Sequence, residues 1–275
     1  MNHPQAFPKF LASAYVRKGG LGIVHQFLVP STVKTMINGR VVTIACRTKY
    51  PFGQVLSYSV ESATPFDFYI RVPEWADSGS TITTTDSDTP LLLEPNTEGL
   101  YKVAVRPGSS EFSVNFNAEV RVVPRPNNTV AIYRGSLLYA LEFDYNITET
   151  PALNWTDRTP LPQDQITSNV HDHEILPVSV DSWSVAIDPS QIVVHDDSAL
   201  DGSLQNPIYT NGGPPVYLSV AASQISWPEN DGTAGLPPST PQLLGSPFIA
   251  KLVPYGSVKV HMAELPSVSL TKLVQ

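Results

Sequence analysis

The chain has 275 residues, with 25 acidic and 17 basic side chains, and therefore a formal net charge of −8. Charged residues make up 15% of the sequence, against about 25% in an average globular domain. This acidic composition, poor in Lys and Arg, excludes the basic surface that nucleic-acid binding requires, so we expect no nucleic-acid partner. The single Cys excludes an internal disulfide and any metal site built on a cysteine cluster. The 26 prolines are close to twice the usual share of about 5%, which disfavours long helices.

The N-terminal segment carries the one helical pattern of the sequence. Apolar residues recur at i, i+3, i+4, i+7 and i+8, at Phe7, Phe10, Leu11, Ala14 and Tyr15. Pro8 fits a first helical turn, and Gly19 with Gly20 ends the pattern. We therefore predict a short amphipathic helix within residues 1–20. Its apolar face needs a packing partner, because an isolated helix of this length is marginal in water.

After this segment the hydrophobic period changes to two, and β-branched and aromatic residues dominate runs separated by Pro, Gly, Asn and Asp. In a first domain, residues 21–148, strands are predicted at 41–46, 54–61, 66–72, 101–106, 112–116, 129–134 and 136–143. In a second domain, residues 149–275, they are predicted at 183–187, 191–195, 216–220, 249–253 and 257–263. Residues 144–180 are expected to be irregular, and 196–215 and 228–247 to be long loops. The fold class is thus mainly β: two consecutive antiparallel β-sandwich, jelly-roll-like domains after a short helix.

The sequence gives conflicting indications about localisation. No apolar stretch approaches the length of a membrane span, so we expect no membrane association, and the first residues lack the basic start and apolar core of a signal peptide. Yet glycosylation sequons begin at Asn127, Asn146 and Asn154, which indicates a secreted parent protein. The localisation of this chain is therefore left open.

Two features could bind a metal or act as a nucleophile. His171 and His173 alternate in a polar segment and would share one face of a strand, but spacing supplies no third ligand, so a solvated loop is preferred to a metal site. Cys46 lies in an alternating strand, with no His or Lys except Lys49 within four residues to lower its pKa. We interpret it as a buried structural residue. No metal and no cofactor is predicted.

Glycosidase chemistry needs paired carboxylates or a carboxylic acid with another nucleophile. Six candidates are available without any spacing that pairs them: Glu61, Glu74, Asp77, Glu142, Asp144 and Glu264. The sequence thus predicts no catalytic residues. Three tryptophans, Trp75, Trp155 and Trp227, lie beside turn residues and are candidate ligand contacts that could stack on sugars, although a structural role in a β-sandwich is the alternative.

Several segments, taken together and in order, resemble a known glycosidase family. They are Asn2-His3-Pro4-Gln5, Tyr50-Pro51-Phe52-Gly53, residues 66–76 (FDFYIRVPEWA), residues 130–140 (VAIYRGSLLYA), residues 183–188 (WSVAID) and residues 252–257 (LVPYGS). This order resembles the C-terminal part of glycoside hydrolase family 127 (GH127), the β-L-arabinofuranosidase-like, six-hairpin glycosidase-like proteins, in a fungal version. Ser136 departs from the family pattern, which has Pro at this position.

The resemblance implies a parent protein in which an N-terminal (α/α)6 barrel carries the chemistry and β-sandwiches follow. It implies retaining removal of β-L-arabinofuranose, with a zinc-bound Cys as nucleophile, further Cys and a Glu as zinc ligands, and another Glu as acid/base. The nucleophile of the family belongs to a Cys-Cys pair shortly before the segment that matches Asn2-His3-Pro4, where this sequence has Met1. We therefore expect the barrel and its catalytic residues to be missing, Cys46 to match none of them, and residues 2–17 to match the last barrel helix.

The motifs and the family resemblance leave three alternative hypotheses about function. The first is a non-catalytic β-sandwich region of a GH127-like protein, with the missing barrel as its partner. The second is a free-standing module that binds an arabinose-containing glycan or a protein partner through Trp75, Trp155 or the loop at 228–247. The third is a recruited enzyme acting on a small metabolite in a cleft between the two domains. The oligomeric state is not predicted.

Overall fold

The computed structural model of the chain describes residues 3–85, 87–166, 170–199, 202–230 and 232–273. The chain forms two compact units. The first comprises Met1–Val120, Arg134–Leu137 and Ser198–Asp201, and the second comprises Arg121–Tyr133, Leu138–Asp197 and Gly202–Gln275. Strands account for half of the structure and α-helix for one short segment of the described residues, so the predicted mainly β class is confirmed.

The first unit contains one helix and ten strands among its described residues. These are α1 (His3–Ala12), β1 (Tyr15–Lys18), β2 (Gly22–His25), β3 (Ser31–Ile37), β4 (Arg40–Thr48), β5 (Val55–Ser62), β6 (Phe66–Arg71), β7 (Thr81–Thr84), β8 (Ser87–Leu92), β9 (Leu100–Val105) and β10 (Gly108–Asn115). One sheet has the strand order β1-β2-β6-β9, and the other has the order β3-β4-β5-β10-β7-β8. Pairing is antiparallel except between β2 and β6, which run parallel.

The core of the first unit lies between these two sheets. Alternation along β5 buries every second side chain, and β6 buries Phe66, Phe68 and Ile70 in the same way. Phe68 contacts both Tyr58 and Phe112 from the other sheet, at ring-centroid distances of 5.4 and 5.7 Å. Aromatic side chains from both sheets therefore join them into a sandwich, and such large apolar groups supply most of the stabilisation.

The turn between β3 and β4 explains one register of the larger sheet. Asn38 and Gly39 both have positive φ, 49° and 68°, which is the conformation of a two-residue type I′ hairpin turn. Asn and Gly tolerate this left-handed region at little cost. The turn thereby fixes the pairing of Ile37 with Arg40 and of the residues that follow.

The N-terminal helix is shorter than predicted. It ends at Ala12, and Tyr15, which the sequence analysis placed on its apolar face, belongs to β1. The reason is that Ala14 is buried and its carbonyl accepts hydrogen bonds from the backbone N–H groups of Gln26 and Phe27. These bonds hold the backbone in position for β1 and prevent the helix from continuing. The remaining apolar side chains of α1 are mostly exposed.

The second unit is built on one sheet of seven strands. Its elements are β11 (Val120–Arg125), β12 (Thr129–Arg134), β13 (Leu137–Leu141), β14 (Tyr145–Pro151), β15 (His171–Pro177), β16 (Val185–Asp196), β17 (Val216–Gln224), β18 (Glu229–Asn230), β19 (Thr233–Ala234), β20 (Phe248–Pro254) and β21 (Leu265–Pro266), with 3-10 turns at Gln163–Gln165, Val180–Ser182 and Tyr255–Ser257. The order is β11-β12-β13-β20-β17-β16, with β21 paired to β12. Two ribbons, β14-β15 and β18-β19, accompany this sheet.

Strands β11, β12 and β13 belong to the sheet of the second unit. Strand β13 pairs with β20, through Tyr139 opposite Pro254 and Leu141 opposite Leu252. These long-range hydrogen bonds tie the strands after Val120 to the second sheet.

Two further segments differ from the predictions. Within residues 144–180, expected to be irregular, β14 and β15 form an antiparallel ribbon. Of residues 257–263, predicted as a strand, Ser257 ends a 3-10 turn and residues 258–263 form a loop, in which the ring of His261 stacks on Tyr255 at 4.1 Å. In the described part of the chain, no helix has the length and apolar character needed to cross a membrane.

Candidate functional site

A cleft of the first unit lies at one of the predicted residues, Trp75. Trp75 follows β6, and Tyr50 lies in the turn between β4 and β5, where its backbone N–H donates to Oγ1 of Thr48 at 2.9 Å. The two rings are nearly parallel, 12° apart with centroids at 6.4 Å, and Trp75 also packs edge-on against the buried Phe116. The core of the unit therefore holds this aromatic pair in place.

The cleft combines this aromatic pair with polar side chains. It has a volume of about 430 Å³, within the range of about 300–1,000 Å³ typical of ligand pockets. Its polar wall includes Gln26, Arg71, Glu74 and Ser136, and all of these except Gln26 are exposed. An aromatic face next to planar donors and acceptors can take the apolar face of a sugar ring and bind its hydroxyl groups. The arrangement suits an uncharged, hydroxylated ring.

Trp155 has quite different surroundings. Its side chain is 91% exposed, in the loop between β14 and β15 of the second unit. The preceding residue, Asn154, accepts a hydrogen bond at Oδ1 from the backbone N–H of Thr156 at 2.8 Å, which shapes the turn. Trp155 is therefore accessible to a ligand or partner.

Trp227 belongs to the core of the second unit. It is only 5% exposed, and its ring packs edge-on against Trp183 with centroids 5.3 Å apart. Its Nε1–H donates to the carbonyl of Gly235 at 2.9 Å, which satisfies the indole donor that burial would otherwise leave unpaired. One edge of the ring nevertheless lines a pocket of this unit.

The six candidate carboxylates are dispersed over both units. Three of them have their own polar partners: Glu142 with Lys251 at 2.8 Å, Glu264 with Arg125 at 3.4 Å, and Asp77 with the side-chain amide of Asn117, which donates to both carboxylate oxygens. Glu61 is exposed on β5, Asp144 is exposed before β14, and Glu74 lies in the Trp75 cleft. Glu74 is thus the one candidate carboxylate in that cleft.

His171 and His173 lie on β15 instead of in a loop. His171 faces Glu149, with Nδ1 3.2 Å from Oε1, and both histidines are exposed. Among the described residues, no three His, Cys, Asp or Glu side chains come together as a metal-ligand set. The donors of these residues therefore do not fit the zinc that the family resemblance implies.

Cys46 is buried on β4, as predicted from its position in an alternating strand. Burial raises the pKa of its thiol to about 12, although a hydrogen bond with Tyr58 lowers it slightly. Because the thiolate is the nucleophilic and metal-binding form, such a thiol is inert at neutral pH. Cys46 is a core residue of the first unit.

Comparison with solved structures identifies the fold. A GH127 β-L-arabinofuranosidase from Geobacillus stearothermophilus T6 has a TM-score of 0.59 and 16% identity, over 96% of this chain and 36% of that protein. The fold is GH127-like. A protein described as a glycoside hydrolase scores 0.58 at 15% identity, over 93% of this chain and 37% of its own. A second GH127 β-arabinofuranosidase has a TM-score of 0.56 and 13% identity, over 95% of this chain and 37% of that protein.

The GH127-like fold thus extends over almost the whole chain, while the chain spans little more than a third of the length of these neighbours. No protein-family model and no curated protein matches the sequence. The cleft residues Gln26, Tyr50 and Arg71 were not predicted, because they come from three separate segments that only the sandwich brings together. The sequence signals for this site were Trp75 beside a turn and the candidate carboxylate Glu74 next to it.

Proposed function

We propose that this chain is a non-catalytic β-sandwich region of a GH127-like protein and has no hydrolase activity by itself. The observation that carries the proposal is the coverage of the fold likeness, 96% of this chain against 36% of a GH127 β-L-arabinofuranosidase. The rest of such a protein, the (α/α)6 barrel in our reading of the sequence, would supply the chemistry and would be the partner of this region.

The exposed face of α1 supports this partnership. Phe7 and Phe10 are 66% and 62% exposed, and Leu11 is nearly half exposed. Phe10 has an aromatic neighbour, Phe27, with ring centroids 5.5 Å apart. Large apolar groups grouped on one helix face gain free energy when a partner covers them. A helical partner from the same GH127-like protein would do so.

The protonation state of Cys46 supports the absence of intrinsic hydrolysis. The family chemistry in our reading needs a cysteine thiolate, whereas burial raises the pKa of this thiol to about 12. Cys46 is the one cysteine of the sequence. This chain therefore has no cysteine side chain ready for nucleophilic attack.

Incubation with an aryl β-L-arabinofuranoside and Zn²⁺ tests the proposal. We expect the same release of the aryl group as in buffer, and an identical result for Cys46→Ser. A GH127 β-L-arabinofuranosidase serves as the positive control for substrate and zinc. Turnover that rises in proportion to the concentration of this chain contradicts the proposal; if Cys46→Ser abolished that turnover, Cys46 itself would be implicated.

A second candidate function, glycan binding, rests on the cleft at Trp75. The near-parallel rings of Tyr50 and Trp75, beside the exposed Arg71 and Glu74, form a surface suited to a hydroxylated ring. This function does not compete with the first, because a supporting region can also hold substrate. It requires that the cleft stay accessible in the full protein.

Calorimetric titration with arabinose-containing glycans tests this second function. We expect Trp75→Ala to weaken binding by at least about tenfold, because aromatic contacts dominate such surfaces. The exposed Trp155 offers a matched control, and Trp155→Ala is expected to bind as the unaltered chain does. Flat heats for the unaltered chain rule out glycan binding, and loss of binding only in Trp155→Ala moves the contact to the loop of the second unit.

A further inference from the structure

Two neighbouring pockets of the second unit form one groove. Each has a volume of about 430 Å³, and Ala234, His261 and Met262 line both, so the pockets open side by side. We call them the apolar pocket, whose lining includes Ile175, Leu176, Val180, Trp183 and Val260 beside the exposed Glu229, and the polar pocket, whose lining includes Arg125, Tyr133, Trp227, Tyr255 and Glu264. None of these residues belongs to the cleft at Trp75.

The apolar pocket has a rigid aromatic floor. Trp183 is buried, and its ring is held edge-on against Trp227. Val180 and Met262 pack against this aromatic pair, and Val260 forms part of the wall. A floor fixed by the core gives a preformed surface for an apolar group, which avoids the entropic cost of ordering a loop on binding.

The polar pocket combines ring faces with charged groups. The ring of Tyr255 stacks on His261, 4.1 Å between centroids, and remains partly exposed. Arg125 lies with Nε 3.4 Å from Oε1 of Glu264, and its guanidinium donates to Oη of Tyr133 at 3.5 Å. Both charged side chains are exposed, so this end of the groove offers donors and acceptors to a ligand.

The charge of the Arg125–Glu264 pair decides which polar group fits. A guanidinium facing a carboxylate has no net charge, so an anionic ligand would gain attraction from one partner and repulsion from the other. Hydroxyl groups, which both donate and accept, can bond to both partners at once. A neutral, hydroxyl-bearing group therefore suits this end better than an anion.

We propose that the groove binds an uncharged amphiphile, with its apolar end in the apolar pocket over Trp183 and its hydroxyl-bearing end against Tyr255 and the Arg125–Glu264 pair. A hydroxylated ring without an apolar substituent leaves the apolar pocket empty and binds weakly. This inference uses residues of the second unit only and stands whether or not the proposed function holds.

Octyl β-D-glucoside, kept below its critical micelle concentration, is a suitable probe for calorimetry with the full chain. We expect saturable binding of one molecule per chain. Glucose tests the apolar end and octyl sulfate tests the head group, and both are expected to bind at least tenfold more weakly. Equal affinity for octyl sulfate, or heats that do not saturate, would overturn the proposal.

Two variants locate the probe in the groove. Val260→Asp places a charge in the apolar pocket and is expected to weaken binding at least tenfold, whereas Val194→Asp, on β16 and outside both pockets, is expected to have no effect. Glu264→Gln leaves Arg125 without its anionic partner, so we expect the preference for octyl glucoside over octyl sulfate to decrease or reverse. Circular dichroism verifies that each variant is folded.

The Glu264→Gln arm keeps the proposal testable if Val260→Asp does not fold. An unchanged head-group preference in Glu264→Gln means that the polar end of the ligand does not contact this pair. Unchanged affinity in a folded Val260→Asp means that the apolar end lies elsewhere. Either result refutes the assignment of the groove.

Discussion

Acidification from about pH 6.5 to about pH 4 is expected to lower the free energy of unfolding of the first unit by about 3 kcal/mol through one residue, His25. Its side chain is fully buried, Nδ1 lies 2.8 Å from Oη of Tyr58, and Nε2 has no hydrogen-bond partner among the described residues. Burial lowers the pKa of the imidazole from 6.5 to about 4, because a charged ring loses its hydration in this core.

The direction of the pH dependence follows from the lowered pKa. Below about pH 6.5 the unfolded chain binds a proton at His25, while the folded chain does so only near pH 4. Stability is therefore complete above about pH 6.5 and decreases as the pH falls toward 4. The titratable neighbours Tyr15, Tyr58 and Cys46 are neutral over this range, since burial raises the pKa of each, to about 12 for Tyr15 and Cys46.

Replacement of His25 by an apolar ring tests this expectation. In His25→Phe, urea unfolding followed by circular dichroism should lose the pH dependence between pH 6.5 and 4, even if the variant is somewhat less stable at pH 7. His173→Phe, which changes an exposed histidine on β15, should retain the pH dependence of the unaltered chain. An unchanged slope in His25→Phe would show that other groups govern acid unfolding.

The strands that could be predicted are those with one face in the core. Along β5 buried and exposed residues alternate strictly, and the sequence alternates with them. The ribbon β14-β15 was missed because almost all of its side chains are exposed or half-buried on both faces, so its sequence has no apolar period of two. The ribbon is defined by backbone pairing between β14 and β15, and no sequence pattern encodes this pairing.

The end of the N-terminal helix shows that a hydrophobic pattern can fit both a helix and a strand. Ala14 and Tyr15 continue the helical spacing of Phe7, Phe10 and Leu11, yet Ala14 lies after the end of the helix and Tyr15 begins β1. Both a helix and a strand would place these two residues on an apolar face: Ala14 is in the core, and the ring of Tyr15 stacks on His25. Only the tertiary hydrogen bonds to Ala14 decide between them.

The candidate sites were predictable only in part, for a geometric reason. Trp75 stood out beside a turn, but its partner Tyr50 lies 25 positions earlier and reaches it through the order of strands in the sandwich. The Arg125–Glu264 pair of the groove is separated more widely still. Contacts of this kind depend on strand order, and no local spacing encodes strand order.

Loss of the Asp188 carboxylate is expected to destabilise the second unit by about 3 kcal/mol, because it removes charge-assisted hydrogen bonds inside the fold. Asp188 is 5% exposed at the irregularity of β16. Oδ1 accepts from the N–H and Oγ–H of Ser190 at 3.1 and 2.6 Å, and Oδ2 accepts from Nε2 of Gln191 at 2.8 Å and from the N–H of Leu270 at 2.9 Å. The carboxylate thus ties the C-terminal segment to β16.

Protonation should weaken the same contacts. Burial raises the pKa of Asp188, but the hydrogen bonds from Ser190, Leu270 and Gln191 outweigh it and hold the pKa below the usual 3.8. With a lowered pKa in the folded state, the stabilisation is present above about pH 4 and is lost only as the pH falls below that value. In Asp188→Ala this part of the acid dependence should disappear.

Asp157 provides the matched control, because it makes a similar turn at the surface. Its carboxylate accepts from the N–H and Oγ–H of Thr159 at 3.0 and 2.7 Å, but it is exposed and has no long-range contact of the kind that joins Asp188 to Leu270. Asp157→Ala should leave the urea midpoint unchanged, whereas Asp188→Ala should lower it and speed amide hydrogen exchange at Leu270. Equal midpoints for the two variants would mean that burial and the bond to Leu270 add nothing to a local turn.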